Sequence, residues 1–555
     1  MKGSTRYALL SILLLAVYIR LLPVANYLYW GGDFGEYFLL SSTLAAGLPL
    51  PNPYEGWQSG YPEFLGMEVL VASVSWTGIP IEAAALLVVP ILSSLAVVPV
   101  FLIGRLVTGR DWPALLAAAI VAVVLPHVYP TSHPIPGAIG DLLFLSSLLL
   151  LLRLRERSEV LGLLLPASAA LIVVHHLSSY FLIIVTFMIA FLRVAIRGAP
   201  FREIRRETFF LGFLVAANLV YWALYTENFR RVIELAGAPW WLPAILVLLL
   251  PVALYAFSVF RRRVTWTFRP SFPSPVRGLR VFVVVALSLS LLLAAFVYGR
   301  VPGTTFSVSG ASILYAIPAL SLFLFAPPGR KYFDFLPGGL TVTSWFLVLI
   351  LSLMLGAVLA PFLLIPFRHV QYLVPALALF AGVGAYRLIR SLRRGQAALV
   401  FLIGLLLVLG VLTAIPPREA LGNHFEGTRP EGMNAVHWAT ERVDGVTATD
   451  HRASSILFGF GGLRATWGAA PNALHAPTFE EAKAEMQWVA ELPSGPGRID
   501  YVHLDRDLVA GATISPLDPA LPLSDEAQAK FMGPHYLKLY DDGYAQVYWV
   551  NWGTA

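Results

Sequence analysis

The chain has 555 residues, 57% of them hydrophobic and only 13% charged, and no cysteine; its mean hydropathy is +0.71. This composition lies outside the range of soluble globular domains and indicates an integral membrane protein. The formal charge of +6 does not point to nucleic acid, because the basic residues sit in short loops between apolar stretches; the missing cysteine excludes disulfides, a thiolate nucleophile and a Cys-based metal site.

Stretches apolar and long enough to span a bilayer recur about thirteen times, near 7–23, 82–106, 112–128, 138–153, 159–176, 177–195, 208–225, 240–260, 281–298, 310–326, 340–363, 369–387 and 397–415. The first follows Lys2 and Arg6 like a signal peptide, but bulky Asn26-Tyr27-Leu28-Tyr29-Trp30 follows it in place of a small-residue cleavage site. It reads as an uncleaved anchor. The segment 62–78 is read as a helix lying on the outer surface. With that assignment 24 of the 39 Lys and Arg fall on one side, against five at opposite span ends (Arg20, Arg230, Arg231, Arg300, Arg368). The positive-inside rule then puts the N-terminus in the cytoplasm and, across an odd number of spans of a plasma-membrane protein, residues 416–555 outside. The expected domains are a transmembrane one over 1–415, including an outer loop 24–81 with surface helices, and an extracytoplasmic one over 416–555.

The loop opens with Trp30-Gly31-Gly32-Asp33-Phe34-Gly35-Glu36-Tyr37. Asp33 and Glu36, three residues apart, share one face of a helix and could hold a divalent cation or act as a base. The alternative is a capping box, with Asp33 as N-cap and Glu36 as its partner.

A second outer loop runs from His127 through Thr131-Ser132-His133-Pro134 to Gly140-Asp141. An ionised Asp141 at headgroup depth is costly unless it is paired or binds metal, which makes it a catalytic candidate; capping the span or pairing with an outer Arg is the alternative. His133 could assist a metal, or be an ordinary solvated loop residue. His175-His176, between the fifth and sixth spans, form a polar spot of which at most one ring is expected to face a site. Arg368-His369, at the outer end of the twelfth span, suits a lipid phosphate gripped by charge-assisted hydrogen bonds, with Arg300 as a second such residue; snorkelling to ordinary headgroups is the alternative. The segment Arg269–Pro275 is Pro-rich and reads as a stiff inner connector.

The C-terminal part reads as a small α/β domain. Gly432–Arg442 has helical spacing, Val446–Thr449 and Ile499–Leu504 look like strands, and Tyr536–Tyr540 with Tyr544–Val550 form a hairpin around Asp541-Asp542-Gly543.

Taken together, these features resemble the GT-C superfamily of membrane glycosyltransferases: an acidic motif in a long first outer loop (Asp33, Glu36), surface helices (Tyr61 to Pro80) and a second acid before the fourth span (Asp141). Thirteen spans with an outer C-terminal domain look most like the oligosaccharyltransferase catalytic subunits, including the archaeal single-subunit kind. Where those carry Trp-Trp-Asp-Tyr-Gly, this chain has Asp450-His451-Arg452, and Ser307-Val308-Ser309-Gly310 has Gly where a related motif ends in Glu. The resemblance implies a polytopic α-helical GT-C-like protein. It would move a sugar from a polyprenyl-phosphate or polyprenyl-pyrophosphate donor to a protein, glycan or lipid acceptor at the outer face. Asp33, Asp141 and Glu36 would be catalytic, Arg368, His369 and Arg300 would bind the lipid phosphate, and Mg²⁺ or Mn²⁺ would be held by Asp33, Asp141 and His133. The two motif departures leave protein sequon glycosylation and transfer to another acceptor both open. A transporter or flippase of a lipid-linked sugar, with mid-membrane charges and repeated halves, and a non-catalytic scaffold are the rivals.

Overall fold

The computed structural model describes residues 3–553 apart from 58, 228–229, 232–233, 235–240, 262–279, 289, 292–309, 337, 360–367, 393, 422–423, 468–469, 488–496 and 512–520. The chain divides into two compact units. The first comprises Met1–Arg20, Pro90–Ser132 and Pro136–Ile415; the second comprises Leu21–Val89, His133–Ile135 and Pro416–Ala555. The loop 24–81, assigned by chain position to the transmembrane domain, thus groups with the C-terminal residues.

Among the described residues nine helices are long and apolar enough to cross a bilayer, ten if one bent pair counts as a span. The protein is an integral membrane protein. Expected spans 159–176 and 240–260 correspond to shorter apolar helices, Ser158–Val174 and Leu248–Arg261. The span expected at 281–298 lies partly outside the described residues, and the Pro-rich connector wholly so. Gly66–Ser75 is a short apolar helix of ten residues, too short to span.

In the first unit the helix Arg368–Ser391 is almost wholly enclosed and packs on Gly310–Phe333 and Asp111–Val123. Small residues allow this, since no hydrophobic drive separates protein from lipid and close backbone approach must supply the attraction. A Cβ on Gly384 would lie 1.9 Å from the Phe325 carbonyl oxygen, and one on Gly382 2.5 Å from that of Pro113. The third expected span bends by 56° between Asp111–Val123 and Leu125–Ser132. Pro126 sits in the first turn of the second piece, where its missing N–H has no intrahelical partner to lose.

The second unit carries a five-stranded mixed sheet in the order β4-β3-β5-β7-β6. Its strands are β3 (Val446–Ala448), β4 (Arg464–Ala465), β5 (Ile499–Asp505), β6 (Tyr536–Asp541) and β7 (Ala545–Val550). β3 runs parallel to both β4 and β5, and the β6–β7 hairpin closes one side. Gly543, at φ +82°, supplies the left-handed residue of the hairpin turn. A separate two-stranded ladder pairs β1 (Tyr29–Trp30) with β2 (Gly427–Thr428).

Candidate functional site

Two glycines set the geometry of the second unit's polar cluster. The helix Phe34–Ala45 crosses the helix His451–Gly461 so closely that a Cβ on Gly35 would lie 1.9 Å from the Ser455 carbonyl oxygen, and one on Gly459 2.0 Å from that of Gly35. The crossing brings the N-terminal ends of both helices together, Asp33 preceding one and His451 opening the other. His451 Nε2 donates to Asp33 Oδ1 at 2.7 Å, and the Tyr61 hydroxyl donates to Asp33 Oδ2 at 3.0 Å. Asp33 holds the N-cap position but makes no side-chain cap hydrogen bond, so the capping-box alternative does not describe it.

The β1–β2 ladder brings Glu426 to the same turn. Gly31 N–H donates to the Glu426 carbonyl at 3.0 Å, and Gly31 needs its freedom at φ +120°. Glu426 Oε2 lies 2.8 Å from His133 Nε2, and its Oε1 accepts from His424 at 2.9 Å. A Cβ on Gly32 would touch both His451 and Glu426, so the Gly31-Gly32-Asp33 turn is flanked by two histidine–carboxylate pairs. Trp30 stacks on His133 at 4.9 Å; Trp57 and Trp467 present to His451 at 4.5 and 5.6 Å. Burial pushes Glu426 up, but the charges and hydrogen bonds of His133 and His424 outweigh it and hold the carboxyl well below the usual range. Burial pushes His424 down, yet the Glu426 hydrogen bond and charge leave it raised.

Glu36 is fully buried, and its Oε1 accepts from the Tyr54 hydroxyl at 2.9 Å and the Trp57 N–H at 2.8 Å. It clasps the 54–57 segment. Burial, reinforced by the Asp33 charge, pushes its carboxyl well above the ordinary range. Glu68 is an acid the sequence did not single out. Both of its oxygens are buried without a hydrogen-bond partner among the described residues, and burial pushes it up to about 8.

In the first unit, Asp141 lies in the first turns of the helix Pro136–Leu154 and is wholly buried. His127 Nε2 is 3.0 Å from Asp141 Oδ2, while His127 Nδ1 accepts from Arg20 Nη2 at 3.0 Å. Arginine has only donors, so Nδ1 must be the accepting nitrogen and Nε2 carries the proton given to Asp141. Arg20 also donates to Thr131 Oγ1 at 2.9 Å and to the Ala16 carbonyl at 3.2 Å. Asp141 is therefore paired with an outer-end arginine through an imidazole. Pro126 marks the break that presents His127 and Thr131 to Arg20, but no local pattern reveals a contact across more than a hundred positions.

Arg368 Nη1 lies 3.8 Å, and His175 Nε2 3.6 Å, from the place of a Cβ on Gly137. Gly137 stands one turn before Asp141, so the structure brings Arg368, His175 and Asp141 to the same end of one helix. His175 is not the last residue of a helix but an extended N-cap, at φ −157° and ψ 111°, whose Nδ1 accepts from Ser178 N–H at 3.3 Å. Ser178 in turn bonds Tyr372. His176 begins the following helix with its ring tilted 43° to that of His175, so the two rings are not parallel ligands. His369 is turned inward, its Nε2 2.8 Å from Ser352 Oγ and its ring on Phe181. Arg300 and Ser307–Ser309 lie outside the described residues.

The expected metal ligands do not fit as placed. Both oxygens of Asp33 take protein donors and His133 is paired with Glu426; among the described residues no group of three or more His, Asp or Glu is arranged to hold an ion. Asp33 and His133 belong to the second unit and Asp141 to the first.

The fold is like that of solved oligosaccharyltransferase structures, a bundle of membrane helices with a small sheet domain towards the C-terminus. The solved structures it is similar to include the apo oligosaccharyltransferase of Archaeoglobus fulgidus, at TM-score 0.62 and 13% identity over 98% of this chain and 80% of that one. The same archaeon's oligosaccharyltransferase AglB, in complex with an inhibitory peptide and a dolichol-phosphate, aligns at 0.57 and 13% identity over 91% and 70%. The Archaeoglobus fulgidus oligosaccharyltransferase complex with Zn and sulfate aligns at 0.58 and 14% over 98% and 73%. No family model matches the sequence, and no curated protein matches it.

Proposed function

We propose that this chain is a glycosyltransferase that moves a sugar from a polyprenyl-phosphate-linked donor to an acceptor at the outer membrane face. The observation that carries the reading is the cluster at the head of the helix Pro136–Leu154, in a fold similar to that of an oligosaccharyltransferase solved in complex with an inhibitory peptide and a dolichol-phosphate. A helix N-terminus offers unpaired N–H groups and a positive dipole end, and here it stands beside the Arg368 guanidinium and the His175 imidazole. That set suits a phosphate monoanion or diester at headgroup depth, with the polyprenyl tail left in lipid.

Glycosyl transfer develops positive charge at the anomeric carbon and negative charge on the departing phosphate. A fixed guanidinium opposite that phosphate stabilises the transition state more than the ground state. Asp141, neutralised through His127 by Arg20, keeps the surrounding field balanced. The test is turnover of a labelled polyprenyl-phosphate sugar by purified protein in liposomes, read as transferred sugar and released lipid phosphate. Arg368→Ala is expected to lower transfer about 100-fold, the loss typical of one removed transition-state donor. Translocation of the labelled lipid without turnover would make the chain a carrier and end the transferase reading.

A further inference from the structure

Two glycines in the first turns of the helix Pro136–Leu154 serve different ends. A Cβ on Gly140 would lie 2.6 Å from Ser178 Oγ and 3.1 Å from the His175 Cβ, so Gly140 is required for close packing against the head of the helix His176–Arg197. A Cβ on Gly137 meets no such obstacle. Its neighbours, His175 Cε1 and Nε2 at 3.6 Å and Arg368 Nη1 at 3.8 Å, stand at ordinary contact distance, and Gly137 lies in regular helix without a positive φ. Alanine fits there and is the better helix former. Neither packing nor backbone conformation accounts for the missing side chain; the two polar groups around its place do.

Both groups are donors. The guanidinium has no acceptor. His175 Nδ1 accepts from the Ser178 N–H at 3.3 Å and stands 2.6 Å from Ser178 Oγ. A backbone N–H can only donate, so Nδ1 carries no proton and the single ring proton is on Nε2, the nitrogen beside Gly137. The Tyr372 hydroxyl bonds the same Ser178 Oγ, and Gln371 Nε2 donates to the Gly137 carbonyl at 3.4 Å, so ring and helix head are both fixed. Asp141, one turn on, is an independent sign of a ligand. Side chains lean toward the N-terminus of their helix, which brings the Asp141 carboxylate back toward the Gly137 turn. Its Oδ1 is wholly buried and has no hydrogen-bond partner among the described residues. Its charge is opposed by Arg20 through His127, which leaves Oδ1 as an acceptor for a hydroxyl. All of these residues belong to the first unit.

We propose that the missing side chain of Gly137 is the seat of the donor's phosphate. The phosphate oxygens enter the space that a Cβ would fill and take hydrogen bonds from Arg368 Nη1 and from the Nε2–H of a neutral His175. The proposal rests on the transferase reading and deepens it: Gly137 and His175 decide which phosphate esters the site admits, Gly137 by leaving room and His175 by offering a proton that its own hydrogen bond to Ser178 keeps on the correct nitrogen.

The test uses the full-length protein in liposomes, a labelled polyprenyl-phosphate sugar, and inorganic phosphate and phosphatidic acid as competitors. Gly137→Ala is expected to melt at or above the parent temperature and yet bind the donor about 10-fold or more weakly, the scale of one surplus methyl group in a fitted pocket. His175→Asn keeps a good N-cap for the following helix and removes the Nε2–H; it is expected to hold the parent's melting temperature and lose about 10-fold in donor affinity. Weak displacement of the donor by either competitor is the expected result. A folded Gly137→Ala protein that binds the donor as the parent does overturns the proposal, while sugar transfer by the parent leaves the transferase reading standing. Donor affinity lost in Gly137→Ala, with no transfer by the parent to any acceptor, supports the seat and ends the transferase reading. Phosphatidic acid that binds the parent as tightly as the donor does, and loses as much in Gly137→Ala, assigns the seat to ordinary phospholipid and overturns the proposal.

Discussion

Two histidine–carboxylate pairs, one in each unit, share the same contact and differ in what lies behind the imidazole. In the first unit His127 gives Nε2–H to Asp141, and Arg20 occupies its other nitrogen. In the second unit His451 gives Nε2–H to Asp33, and its other nitrogen has no partner among the described residues. The closed relay carries one positive and one negative charge across a neutral ring and is charge-balanced; it has no site left for a proton. The open pair keeps a lone pair available. The difference shows why a short His–Asp distance is by itself no sign of catalysis: the state of the second nitrogen decides.

The largest expected effect comes from breaking the closed relay. Arg20→Leu leaves Asp141 buried with its countercharge gone, and removing one partner of a buried pair costs about 3–5 kcal/mol. The checking measurement is thermal unfolding in detergent, where the variant should melt far below the parent; Arg20→Leu/Asp141→Leu should recover much of the loss, since no charge is then stranded.

A smaller effect is expected at Glu36, the acid one turn from Asp33. Glu36→Ala strands the buried Tyr54 hydroxyl, at a cost of about 1–3 kcal/mol, and leaves the partly buried Trp57 N–H without its acceptor. Glu36→Gln keeps an acceptor for both. Because the folded carboxyl is raised, its contribution is complete below the ordinary carboxylate value and is lost as pH rises through the raised one. Glu36→Gln should therefore match or exceed the parent in melting temperature at alkaline pH. A parallel decline of both proteins would show that Glu36 is ionised in place.

The smallest effect concerns the triad His133–Glu426–His424. The depressed Glu426 contributes stability that is present above the ordinary glutamate value and lost as pH falls through its lowered one. The raised His424 contributes stability that is complete below the ordinary histidine value and lost as pH rises through its raised one. Both contributions are in force between about pH 4.3 and 6.5. A profile of melting temperature against pH should flatten on both flanks of that window in Glu426→Gln, and an unchanged profile would show that the three side chains do not interact as placed.

Much of the architecture was legible because membrane helices and hairpins declare themselves locally. Apolar length marks the spans, and the Asp-Asp-Gly turn and the alternation around it mark β6 and β7. Reading 62–78 as a non-spanning segment agrees with the short helix Gly66–Ser75. The broken third span was less legible, since Pro126 lies where an unbroken helix also tolerates proline.

The candidate site was legible in its acids and not in their partners. Asp33, Asp141 and Arg368 stand out as charges beside apolar spans, a cost that draws notice in any window of the chain. His451 was noted only as a departure from a motif, and Arg20 only as a charge on the less basic side. Residue type and burial tendency are written into local sequence, so composition, span pattern and the presence of costly acids followed from the chain alone. Which nitrogen faces which oxygen depends on contacts such as Asp33 with His451, 418 positions apart, and Arg20 with His127, 107 apart. Those contacts arise when helices cross through glycines and strands pair in one register, and only the folded backbone specifies such crossings.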